Sequence, residues 1–224
     1  MIRKLAASLF ALVTLAVGAQ GASADTTAVD EAALRLHMGE LGIQTDVQDS
    51  LIGKIMQGQL PDSDLSGSVP LSVESTRTVG MEGTREIFAD GSVRLVEHAI
   101  PANPRLRSTS IAGCTLVAGT GYRDYRHCTV GSTGVLVSEY FVADFMILSG
   151  SNNDYISRAY GGTVRCYLGA CDGAQVNLIQ ANETVQRAAL AMATTTFSVL
   201  GVYASRTYGV SLSVGGDSYA IGEF

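Results

Sequence analysis

The segment Gly134–Leu148, GVLVSEYFVADFMIL, decides the fold. On an extended chain Val135, Val137, Phe141, Ala143, Phe145 and Ile147 share one face. Leu136, Ser138, Tyr140, Val142, Asp144 and Met146 share the other. A period of two belongs to a β-strand, whose successive side chains point to opposite sides. Glu139 is the exception, a carboxylate on the apolar face.

Immediately upstream lies Gly113–Gly131, GCTLVAGTGYRDYRHCTVG, which opens the β-rich half of the chain and holds Cys114 and Cys128. Downstream, Gly150–Asp154 turns the chain, and Tyr155–Tyr167 and Ala174–Ala181 follow as expected strands. Ala188–Ala204 is ambiguous at its Ala- and Met-containing start, but Thr194–Val199, with its β-branched residues, argues strand. Tyr208–Val214 is expected as the closing strand, ended by Gly215-Gly216-Asp217. Several strands separated by Gly, Asn and Asp turns indicate an antiparallel sandwich or barrel.

Toward the N-terminus, Thr84–Phe88 and Ser92–Glu97 flank Ala89-Asp90-Gly91, a hairpin signal because Asp-Gly readily takes positive φ. Pro101 and Pro104 interrupt regular pairing over Ala99–Ser108, which reads as a boundary and an exposed processing candidate. Earlier still the period becomes helical. Leu34, Met38 and Leu41 recur at i, i+4, i+7 before Gly42, and Val47, Leu51, Ile52, Ile55 and Met56 form a second stripe that Thr45 or Asp46 would cap. Asp62, Asp64, Ser66 and Gly67 match the opening of a calcium loop, but its twelfth position, which needs a bidentate acid, is Val73. No metal is therefore expected.

Arg3 and Lys4, the apolar run Leu5–Val17 and Ala22-Ser23-Ala24 form a secretory signal peptide pattern with cleavage after Ala24. Removing it takes the formal charge from −6 to −8. Such an acidic chain does not point to nucleic acid. With no second apolar segment of spanning length, it is read as released outside the cell without a membrane anchor. The expected organisation is a signal peptide over residues 1–24 and a helical segment over 25–68, which is a candidate pro-region. A β-hairpin with a Pro-containing linker follows over 69–108, then a disulfide-containing β-domain over 109–224. The fold class is mainly β: an antiparallel β-sandwich or barrel-like domain preceded by a short helical hairpin.

Four cysteines allow three pairings. The expectation is two local disulfides, Cys114–Cys128 and Cys166–Cys171. An exported setting favours disulfides over zinc, and no Cys-x-x-Cys is present.

No nucleophile elbow, His-Glu-x-x-His motif or phosphate loop occurs, and no cofactor is expected. His37, His98 and His127 are the only histidines. The pair Glu139 and Asp144 has the odd spacing that puts them on opposite faces of one strand. Tyr and Arg are favoured at binding hot spots. Tyr122, Arg123, Tyr125, Arg126 and His127 are therefore the candidate binding residues, gathered at the tip of a disulfide-closed loop.

Leu41-Gly42-Ile43, Gln48, Leu51-Ile52, Lys54, Gly58, Asp62 and Ser63 resemble a recurring N-terminal segment of secreted actinobacterial proteins of uncharacterised activity. Phe88–Val93, Gly113-Cys114, Gly121-Tyr122, Tyr125-Arg126, Cys128 and Val214–Ser218 resemble the same group. The resemblance covers most of the chain and implies export from a Gram-positive cell. The functional expectation is a non-catalytic binding β-domain at or outside the cell envelope, whose partner is an envelope polymer or another extracellular protein. A secreted hydrolase with a dispersed site is the first alternative. A processed toxin or bacteriocin-like factor, with the residues up to about Arg107 as its pro-region, is the second.

Overall fold

The computed structural model of the protein describes residues 26–101, 114–150, 152–199 and 205–224. The expected signal peptide and residues 102–108 of the expected linker lie outside the described residues. Two antiparallel sheets carry the fold. The first holds β1 (Ser72–Thr78), β2 (Met81–Ile87), β3 (Val93–Ala99), β4 (Thr115–Gly119), β5 (Tyr122–Thr133), β6 (Val137–Leu148) and β7 (Tyr155–Cys166). Its order is β1-β2-β3-β5-β6-β7. β3 and β4 lie end to end along one edge of β5, β3 opposite residues 130–133 and β4 opposite 122–126. The second sheet holds β8 (Gly169–Cys171), β9 (Gln175–Gln180), β10 (Ala189–Val199), β11 (Ser205–Gly215) and β12 (Ser218–Glu223), in the order β12-β11-β10 with β8 and β9 both paired to β10. Each sheet keeps its own edges, so the architecture is a sandwich rather than a barrel.

The expected alternation of Gly134–Leu148 places Phe141, Ala143, Phe145 and Ile147 of β6 in the core between the sheets. Ala189, Ala191 and Ala193 of β10 and Val210, Leu212 and Val214 of β11 face them. The alanines resolve the helix–strand ambiguity: their small side chains leave room in that core for Phe141, Phe145 and Tyr125. Both disulfides take the local pairing, Cys114–Cys128 and Cys166–Cys171. The first ties the start of β4 to β5, and residues 115–131 form a β-hairpin turning at Thr120-Gly121 rather than an open loop.

One expectation at the strand level changes. β11 is not the last strand. Gly216 and Asp217 take φ of 62° and 59° and form a two-residue turn into β12, where Tyr219 and Ile221 pack on the core. Positive φ at both positions matches the twist of a tight hairpin, so the signal read as an end is a reversal. β1, β2 and β3 continue the first sheet through the pairing of β3 with β5.

Helices α1 (Thr26–Glu40) and α2 (Thr45–Met56) form the expected hairpin. α1 ends in a Schellman motif. The Gly42 N–H donates to Gly39 O and the Ile43 N–H to Met38 O, with Gly42 at φ 74°. α2 begins at Thr45 with Gln44 at the cap position, so neither Thr45 nor Asp46 serves as the cap. Leu34, Met38, Leu51, Ile52 and Ile55 bury against Val93, Val135, Leu136, Val137, Tyr167 and Leu168 at one end of the sandwich. Met56, the last member of the expected stripe, is exposed. Each fully buried Leu or Met contributes about 1.5–3 kcal/mol. The hairpin therefore depends on the β-sandwich for its core.

Candidate functional site

The sequence-predicted binding residues divide between three environments. Tyr122 is exposed at the tip of the β4–β5 hairpin. Arg123 donates to Asp217 O at 2.7 Å and so ties this tip to the last turn of the second sheet. Tyr125 is 6% exposed and stacks on Phe145 with ring centroids 4.5 Å apart, so it belongs to the core and not to the surface patch. Only Arg126 and His127 share an outer groove. It lies over β5, β6 and β7 with Asp124, Asp144, Tyr155 and Arg158.

That groove sits on a β-bulge. Pairing between β5 and β6 shifts between Tyr125 and Cys128, and His127 takes φ of 57°. The His127 N–H, displaced from the ladder, donates to Asp144 Oδ1 at 2.6 Å. Arg158 closes on Asp144 at 2.6 Å and Arg126 on Asp124 at 2.6 Å. Burial alone would raise the Asp144 carboxyl, but the His127 amide and Arg158 outweigh it and hold the group below its ordinary value. The two guanidiniums are thus already satisfied by carboxylates. The groove presents a balanced polar surface rather than a net charge.

A different cavity gathers the groups with unmet needs. It has a volume of about 220 Å³ and opens where the 61–68 segment crosses the end of the sandwich. Four charged side chains from four elements line it: Asp64, Arg94 of β3, Glu139 of β6 and Glu223 of β12. Tyr208 of β11 completes the wall. Glu139 is 2% exposed, and neither of its carboxylate oxygens has a hydrogen-bond partner. The Tyr208 hydroxyl is likewise buried and unpartnered. A buried carboxyl without a partner costs several kcal/mol when charged, so it favours its proton. Burial accordingly pushes Glu139 up to about 7.

The neighbouring acids are engaged. Asp64 is buried and accepts the N–H groups of Val135 and Leu136 at 3.2 and 3.0 Å and the Ser63 hydroxyl at 2.8 Å. Burial pushes it up to about 6, against the pull of Ser63 and the two amides. Glu223 meets Arg94 at 2.6 Å and also bonds the Ser132 hydroxyl. Burial pushes Glu223 up to about 7, against the attraction of Arg94. Arg94 also binds Glu86 at 2.7 Å and the Ser63 carbonyl at 3.3 Å, which commits most of its donors. The cavity is therefore rich in carboxylate acceptors, and its cation is already engaged.

The calcium-loop pattern has another use. Asp62 pairs with Lys54 at 2.8 Å, while Asp64 turns inward to the β5–β6 turn. No group of three metal-ligating side chains forms among the described residues. His37 stacks on Tyr167 and bonds Gly134 O at 2.8 Å, and His98 bonds the Tyr219 hydroxyl at 2.9 Å. Both serve packing. Of the cavity residues, Glu139 had a visible sequence signal as the one carboxylate on the apolar face of β6. Asp64 appeared only within the calcium pattern, and Arg94, Tyr208 and Glu223 had no signal, because nothing local in sequence says that they converge.

No protein-family model matches the chain, and no curated protein is similar to it. Among solved structures, the 2.75 Å crystal structure of a hypothetical protein from Listeria monocytogenes EGD-e aligns over 72% of this chain and 98% of its own, at 12% sequence identity and a TM-score of 0.36.

Proposed function

We propose that the protein is an exported binding protein, acting at or outside the cell envelope, whose cavity beside Glu139 takes a small polar group of an envelope polymer or an extracellular protein. The observation that carries this reading is Glu139 itself, a core-facing carboxyl with both oxygens unpartnered in a concave site. A buried carboxyl without partners calls for an explanation, and a ligand that completes its hydrogen bonds supplies one. Two disulfides and the likeness to secreted actinobacterial proteins support export. The outer groove at Arg126 and His127, with Tyr122 at the nearby tip, is the second contact surface.

Thermal-shift measurements against soluble envelope fragments (amino sugars, short peptides and their conjugates) test the reading. A fragment that binds the cavity raises the melting temperature of the wild type and has no effect on Glu139→Leu. Equal shifts in both proteins, or none with any fragment, would overturn it.

A second reading, a hydrolase with a dispersed site, is favoured by one observation. Three carboxyls near 6 to 7 line one cavity, the range in which a carboxyl can act as acid or base at neutral pH. That reading requires turnover of the same fragments and its loss in Glu139→Gln. Binding without turnover leaves the binding reading alone.

A further inference from the structure

Resting on the small-ligand reading above, we infer that the cavity seats a primary ammonium group at the end of a short chain, held between the Glu139 carboxylate and the Tyr208 hydroxyl. Three observations lead there. The first is the charge count. Asp64, Glu139 and Glu223 line the cavity with Arg94 as the sole cation among the lining residues, and Arg94 is already shared between Glu223 and Glu86. An anionic ligand would meet surplus negative charge, whereas a cation supplies the missing partner.

The second is hydrogen-bond chemistry. Both Glu139 oxygens are buried and unpartnered, and so is the Tyr208 hydroxyl, which can accept as well as donate. An ammonium brings three donors and no acceptor, which matches this set. A hydroxyl brings one donor and leaves acceptors unmet. Arg206, exposed on β11, acts on the Tyr208 hydroxyl from outside the cavity and does not line it.

The third is size. About 220 Å³ is below the ~300–1,000 Å³ of pockets that enclose a whole drug-sized ligand. The space suits a terminal group on a narrow stem. The serines of the 61–68 segment line one side of this space, and the Phe224 ring covers Gly209 on another. Candidate sources are the free amines of envelope peptides and the side chains of lysine-like residues. They share the alkylammonium that the site would recognise.

Binding is then coupled to a proton. The free site holds Glu139 substantially protonated at neutral pH because burial raises it. An arriving ammonium favours the carboxylate, and the carboxyl proton passes to solvent. Asp64, Arg94, Glu223 and the Tyr208 hydroxyl face the same space. Of these, Asp64 and Glu223 titrate in a similar range and add to the same trend.

The test is an amide-resonance NMR titration of the purified protein with butylammonium chloride, 1-butanol and sodium butyrate at pH 6 and pH 8, with sodium chloride as the salt control. Butylammonium is expected to move the resonances of Gly134 and Gly209. Its affinity should tighten roughly tenfold between the two pH values as Glu139 ionises. Glu139→Gln, which mimics the protonated carboxyl and keeps the shape, should weaken the amine at least tenfold and reduce the pH dependence to the part that Asp64 and Glu223 supply. Tyr208→Phe should weaken it less. If butanol or butyrate moves the same resonances at least as tightly as the amine, the ammonium inference fails while the small-ligand reading stands. An amine affinity unchanged in Glu139→Gln also overturns the inference. No movement with any of the three probes overturns both.

Discussion

Lys54 and Asp90 meet across the fold: Nζ of Lys54, on α2, donates to Oδ2 of Asp90, in the β2–β3 turn, at 2.8 Å. The same carboxylate accepts the Asp62 N–H at 2.8 Å and the Ser92 N–H and hydroxyl at 3.0 and 2.6 Å. One side chain thus holds the second helix, the 61–68 segment and the hairpin together. Asp90→Ala should destabilise the protein by about 1.5–3 kcal/mol, the range for hydrogen bonds to a charged group. Urea denaturation at pH 7 measures it. Burial alone would raise Asp90, but Lys54, Ser92 and the Asp62 amide reverse this and lower it. A lowered carboxyl contributes stability above its unfolded value of about 3.9, and that contribution is lost as pH falls through the folded value. The destabilisation by Asp90→Ala should therefore shrink as the pH falls from about 3.9 through the lower folded value.

The cavity acids behave with the opposite sign. Asp64, Glu139 and Glu223 are raised to about 6, 7 and 7. Between the unfolded carboxyl range near ~4 and those values, the folded state binds more protons, so stability falls as pH rises. The protein should be more stable at pH 5 than at pH 8, by chemical denaturation at matched ionic strength. Glu139→Gln should flatten that slope and raise stability at pH 8, since each unit of raised pKa corresponds to about 1.4 kcal/mol. An unchanged slope in the variant would show that Glu139 ionises freely in the fold.

Gly131 admits a ring where any other residue would not. A Cβ there would lie 1.9 Å from the Tyr140 ring, which crosses it from β6. Tyr140 bonds Thr133 and reaches Glu97 at 3.2 Å, so the ring has no free direction of retreat. Gly131→Ala should cost at least 2 kcal/mol, within the range for overpacking a core. Tyr140→Leu in the same background should recover part of the loss.

A chain starting at residue 109 should not fold. It lacks α1, α2 and β1–β3, which bury Val135, Leu136, Val137, Tyr167 and Leu168, and it leaves one edge of β5 without its partner over 130–133. Circular dichroism and urea titration of that fragment should show no cooperative transition. A native-like transition would instead support the processed-toxin alternative, in which the N-terminal part is removed.

Much of this fold was legible in the sequence because it rests on local period. The alternation of β6, the Asp90-Gly91 turn, the stripe of α1 and the local disulfides all follow from residues within one or two elements. β12 was hidden because Gly216-Asp217 has the same composition whether it ends a chain or reverses it. Tyr125 was misplaced for a related reason. The bulge at Arg126-His127 changes the register, so its side cannot be counted from Cys128 alone. The cavity was legible at a single point, Glu139. Its other members come from the 61–68 segment, one strand of the first sheet and two of the second. Their convergence is a property of sheet packing that no spacing records.

The docking of α1 onto the β5–β6 turn sets an order of events. Leu34 and Met38 bury against Val135–Val137, and His37 reaches Gly134, about a hundred positions further along. A chain made from its N-terminus must keep these apolar residues waiting until the turn has emerged. Contacts so distant in sequence close slowly, because the loop entropy is lost before the contacts form. The helices at the front of the chain are thus among the last parts to acquire their final surroundings.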